Sequence, residues 1–144
     1  KMSNIDEQLQ LKGHVQIHLN GELVQDIDNL VVTAGKGFVA SRMEGTSAGV
    51  MSHMAVGTST TAAAAGQTAL VSESARVALA STSVSAAVVT YTATFPAGTG
   101  TAALTEAAIL NASSGGTMLC RTVFSVVNKG SSDAMTITWT VTVS

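Results

Sequence analysis

The sequence predicts an all-β protein, an antiparallel β-sandwich of jelly-roll-like form with an N-terminal hairpin or arm and one short helix. Three observations carry that expectation. Residues 135–143 alternate without a break, Met135, Ile137, Trp139, Val141 and Val143 against Thr136, Thr138, Thr140 and Thr142, which is the period of a strand with one face buried. Asn20-Gly21 follows the alternating Val15, Ile17 and Leu19, and that dipeptide suits a two-residue hairpin because both turn positions need positive φ. Further short runs of strand character recur at turn spacing, enough for seven or eight strands, and short strands joined by turns close most simply into a sandwich or barrel.

Taken in chain order, residues 15–19 form the first strand, and residues 22–27 return as its hairpin partner. A third extended run covers 29–33. Thr33 then caps a short helix on which Phe38, Val39 and Arg42 recur at helical spacing. Residues 52–57 are a short strand, 58–66 (TSTTAAAAG) a surface loop, and 68–74 the place for one helical turn. A single strand over 76–85 puts Val77, Leu79, Ser81 and Ser83 on one face. In 88–95, Val89, Tyr91, Ala93 and Phe95 alternate with threonines until Pro96 stops the ladder. Strands at 104–110, 116–127 and 135–143 complete the set.

The 144 residues are 46% hydrophobic and only 11% charged, against about 25% charged in an ordinary soluble chain. That length suits one core. Charge is unevenly placed: ten of the sixteen charged residues lie in 1–44, and the rest of the chain holds Glu73, Arg76, Glu106, Arg121, Lys129 and Asp133. The shift suggests an N-terminal arm or hairpin subdomain (1–44) and a β-sandwich body (45–144), with the boundary in the loop-like 45–49. The net charge of −2 and pI near 5.8 give no footprint for nucleic acid. No run of 18 apolar residues suggests a membrane span, and the polar start is unlike a signal segment. Lys1 precedes Met2, which places the expected native start at Met2. One cysteine, Cys120, excludes an internal disulfide and fits synthesis in the cytosol.

Motifs for chemistry fail on spacing, so a non-enzymatic protein without cofactor or metal is expected. His14 and His18 share a strand face about 13 Å apart at about 3.3 Å per residue, too far to chelate one ion. His53 has no cysteine or carboxylate near it in the chain. The segment Ala34-Gly35-Lys36-Gly37 lacks the spacing of a phosphate loop and has glycine where the metal-binding hydroxyl belongs. No serine stands in a nucleophile elbow, and Cys120 beside Leu119 reads as a small buried hydrophobe. The isolated charges are expected as structural ion pairs, Glu106 with Arg121 across two strands and Glu73 with Arg76 around a turn. The row Thr136, Thr138, Thr140 and Thr142 is a face for water or for a neighbouring subunit.

Residues 54–61 (MAVGTSTT), 66–70 (GQTAL), Glu73, Arg76 and Leu79 resemble a group of small bacteriophage structural proteins described as head-decoration or cement, collar or tail-fibre-like proteins. Further matches are 104–109 (LTEAAI), 115–119 (GGTML), 121–124 (RTVF), Lys129 and 137–141 (ITWTV), with 29–35 (NLVVTAG) and Val39-Ala40 towards the start. Gln67 and Ala108 depart from the usual Asp and Gly. The resemblance implies a virion protein made in the host bacterial cytoplasm and present in many copies. The expected role is capsid decoration, clamping the major capsid protein at the particle surface, with copies of itself as further partners, most simply as a homotrimer. A tail-fibre, collar or baseplate adaptor is the alternative.

Overall fold

In a computed structural model that describes residues 8–45 and 49–144, the chain forms nine strands and one helix. The strands are β1 (Leu11–Leu19), β2 (Glu22–Val31), β3 (His53–Gly57), β4 (Glu73–Ala78), β5 (Ser81–Ser85), β6 (Val88–Phe95), β7 (Ala102–Leu110), β8 (Met118–Lys129) and β9 (Met135–Val143), with α1 (Thr33–Glu44) between β2 and β3. All pairings are antiparallel, in the order β4-β3-β7-β8-β2-β1-β9-β6-β5. The all-β class is therefore present. Its form is one curled sheet that approaches a half-barrel.

Two places bend this sheet. β2 pairs with β1 along Glu22 to Asn29, and then only Leu30 and Val31 pair with Arg121 and Cys120 of β8. One strand thus belongs to both halves of the sheet, as strands do at the corners of orthogonal packings. At the far side, only Leu79 and Ala80 separate β4 from β5, although these strands stand at opposite ends of the order. Three Cα steps span at most about 11 Å, so the two edges meet at that corner. The single strand expected over 76–85 is corrected by this switch. Leu79 N–H continues toward β3 at Ser52 O, whereas Ala80 N–H turns to Thr92 O of β6, and the inward side changes from Val77 and Leu79 to Thr82 and Val84.

Both halves of the curled sheet contribute to one core. β1, β6 and β9 contribute Val15, Ile17, Phe95, Ile137 and the fully buried Trp139, and β3, β7 and β8 contribute Met54, Leu104, Ile109 and Phe124. A second cluster (Val32, Ala55, Leu70, Ala108, Leu110 and Met118) lies on the outer side of the β3–β7–β8 half. β7 is therefore buried on both faces, which explains its near-continuous apolar run AALTEAAIL.

The N-terminal expectation also changes. The hairpin exists, with Asn20 and Gly21 at φ 51° and 83°, but β1 pairs with β9 over its whole length. Strands of the supposed arm thus sit in the middle of the sheet, because Val15 and Ile17 are needed in the common core. The part of that arm before residue 8, and the boundary at 46–48, lie outside the described residues. Thr33 does not cap α1; Val32 occupies the cap position with no side-chain bond, and Gly45 closes the helix in the left-handed region at φ 82°. No helical turn forms at 68–74, where Val71 and Ser72 are instead held as bends.

Candidate functional site

The outer face of the β3–β7–β8 half carries a buried polar network. Register places Glu106 of β7 opposite Gly57 of β3 and Val123 of β8, and places Arg121 opposite Ala108. The pair is therefore diagonal, reached because both side chains are long. Arg121 Nη2 and Nε donate to Glu106 Oε1 at 2.9 and 3.1 Å, and both side chains are fully buried. What covers them is the segment 58–72. Val71 N–H donates to Glu106 Oε1 at 3.0 Å, and Ser72 and Ser59 N–H donate to Oε2 at 2.8 and 3.1 Å.

Arg121 Nη1 completes the clamp, donating to Thr61 O at 2.9 Å and Gln67 Oε1 at 3.1 Å. Gln67 in turn accepts from Ala64 N–H and donates to Ala62 O. A buried charge pair contributes little by itself but becomes firmly placed when further hydrogen bonds satisfy its remaining atoms. Here they do, and the network holds an uncharged Thr/Ala loop in one conformation. Gly57 is required beneath it, since a Cβ there would stand 2.2 Å from Ser72 O and 2.5 Å from Glu106 Oε2. Five donors meet the two oxygens of Glu106, so its carboxylate ties β8 and the 58–72 segment to β7.

Arg76 serves a second loop. It makes a bidentate pair with Glu73 at 2.7 and 2.9 Å, and its Nη1 donates to Ala112 O and Gly115 O, both at 2.9 Å. Both expected ion pairs are thus brought together, and both turn out to be loop anchors, a role their positions in the chain do not reveal.

Thr136, Thr138, Thr140 and Thr142 lie on the outer face of the other half, each partly buried. Register extends the row sideways. Thr140 stands between Thr90 and His14, and Thr138 between Thr92 and Gln16, while Ser83 and Ser81 flank Thr90 and Thr92 from β5. The result is an array of hydroxyls over β5, β6 and β9, bordered by charge on β1 and β2. Thr94 and Thr136 hydroxyls meet at 3.5 Å.

That border holds a constellation the sequence reading missed. His14 lies opposite Asp28. Its Nδ1 is 3.0 Å from Asp28 Oδ1, and its Nε2 contacts Asp26 Oδ1. A carboxylate at each ring nitrogen favours the protonated imidazole. The hydrogen bond to Asp28 is the largest cause, and with the bond to Asp26 and both negative charges it raises the pKa above the ordinary value, against a lowering by desolvation. The spacing Asp26-x-Asp28 is visible in the sequence, but only register reveals that both face His14. His18 stands opposite Leu23 and Thr136. His53 contacts the neighbouring Ser52 hydroxyl at 2.7 Å.

Cys120 is fully buried, and burial pushes its thiol pKa well up, the opposite of a reactive thiolate. Gly35 of the glycine-lysine segment is where α1 meets β8; a Cβ there would lie 2.1 Å from Leu119 O. Among the described residues no group of three His, Cys, Asp or Glu side chains is arranged to hold a metal ion, and no helix is long and apolar enough to cross a membrane. A groove of about 510 Å³ runs between α1 and the adjoining ends of β1 and β9, with Leu9, Val39 and Met43 in its walls. Comparison of the chain with protein-family models, with curated proteins and with solved structures finds no match.

Proposed function

We propose that this chain is a structural component of a bacteriophage particle, a decoration protein that binds the outside of the head shell through contacts with the major capsid protein and with copies of itself. One observation carries the reading. Gly57, Glu106 and Arg121, all within the segments that resemble phage structural proteins, converge on the network that fixes the 58–72 loop, which Gln67, a departure from the usual Asp, completes. The shared residues thus belong to a device that holds an uncharged surface rigid.

A surface ordered in advance suits a clamp. Binding costs free energy for every loop and side chain immobilised, so a surface already fixed keeps more of its contact energy as affinity. Each contact can remain modest, because many copies on one particle add by avidity. The finer architecture belongs to the same proposal. The two halves, joined by β2 and by the β4–β5 switch, are read as a jelly-roll-like sandwich whose outer faces are the contact surfaces.

Stoichiometry tests the reading. Quantitative mass spectrometry of purified particles is expected to find this chain at a copy number comparable to that of the major capsid protein. A handful of copies per particle would place it in the tail, as a fibre, collar or baseplate adaptor, and would overturn the head assignment.

A further inference from the structure

The sheet ends at β5, a five-residue edge strand that carries no charge, proline or bulge. β5 pairs with β6 on one side only, so a row of its backbone N–H and C=O groups is left without a strand partner. Natural edges are guarded by charges, prolines or bulges that discourage pairing with another chain. β4, the other end of the sheet, carries the Glu73–Arg76 pair. β5 reads Ser81-Thr82-Ser83-Val84-Ser85 and is exposed at all five residues. From residue 77 to residue 105 the chain has no Asp, Glu, Lys, Arg or His.

The pattern of β5 also fits itself. In an antiparallel pair centred on Ser83, Ser81 faces Ser85, Thr82 faces Val84, and Ser83 faces Ser83, so no like charges meet and no large side chains collide. Thr82 and Val84 lie on the side of Tyr91 and Val89, at the rim of the core, and Val84 is 71% exposed. A second β5 would lay its Thr82 over that valine while completing the ladder. Ser81, Ser83 and Ser85 would continue the hydroxyl face from one copy into the next.

We propose that β5 is the docking edge for β5 of a second copy of this chain, paired antiparallel about a two-fold axis through the two Ser83 positions. The contact is isologous and closes at two copies, so the self-association it supports is two-fold rather than the threefold arrangement expected above. It stands on the fold alone and does not depend on the proposed function.

Charge exchange at Ser83 tests this on the full chain. Sedimentation velocity over a concentration series is expected to show a reversible dimer for the unaltered protein. Ser83→Lys and Ser83→Glu each place like charges face to face and are expected to weaken dimerisation by about tenfold. Mixing the two variants is expected to restore it, because the mixed pair is attractive. Unchanged thermal midpoints of the separated variants check that they fold. A monomeric unaltered protein, an oligomer insensitive to both substitutions, or a mixture that stays as weak as its parts would each overturn the proposal.

Discussion

Arg121 and Glu106 are buried together as an ion pair, so removing either charge leaves the other without its partner. In Glu106→Gln the shape is kept and the charge is lost, so the guanidinium stays buried without compensation. Breaking a buried pair from one side costs about 3–5 kcal/mol, a large part of the roughly 5–15 kcal/mol that holds a domain folded. Urea unfolding is expected to show that loss. The double variant Glu106→Leu with Arg121→Met is expected to recover much of it, since no lone charge remains. His14 gives a residue-level pH dependence. Its pKa is raised in the folded state, so its contribution is fully present below the unfolded value of 6.5 and is lost as pH rises through the folded value. Unfolding free energy is expected to fall over that window and to flatten there in His14→Gln. These two cases differ in what the sequence shows. Isolated charges in apolar strands announce a pair, whereas the partners of His14 depend on a register that no local pattern fixes.

Among the elements, the β5–β6 hairpin turns at Ala86, which adopts φ 50° without being glycine. A left-handed residue with a Cβ costs roughly 1–2 kcal/mol. Ala86→Gly is therefore expected to stabilise the protein by about 0.5–1 kcal/mol, after glycine's own entropy cost, as a higher midpoint in thermal unfolding. Asn20-Gly21 shows the opposite case, a turn whose residues match its geometry and which the sequence therefore announces. α1 is less legible. It lacks a side-chain cap and an amphipathic stripe, and Gly35, unfavourable for a helix, is present because the helix backbone touches Leu119 of β8. Similarly, Gly13 belongs to β1 because the Asn29 side chain occupies the space of its Cβ. Asn29 Oδ1 is there to accept the Trp139 indole N–H at 2.7 Å.

At the scale of the molecule, the strand order sets where the fold resists opening. β1 and β9 lie in the interior of the order, each paired on both sides along nearly its full length, and carry Ile17 and Trp139 into the core. β5 has one neighbour and is exposed at all five residues. Amide hydrogen exchange is expected to be slowest in β1 and β9, at the level of global unfolding, and fastest among the strands in β5. Fast exchange in β1 would instead fit a detachable N-terminal hairpin.

The sequence by itself determined the all-β class, the turn at Asn20-Gly21 and the inward and outward sides of β6 and β9, and it offered Glu106 and Arg121 as a pair on condition that their strands meet. Each rests on period-two alternation, on turn chemistry, or on the high cost of an unpaired buried charge, and all of these act over a few residues or leave one solution. Tertiary structure decided the rest. It placed the charged hairpin in the centre of the sheet, because the common core needs Val15 and Ile17. It broke the strand expected over 76–85 between two sheet edges, and it turned the ion pairs into anchors for loops far away in the chain. Those outcomes depend on strand order and register, which arise only when every strand seeks a partner at once.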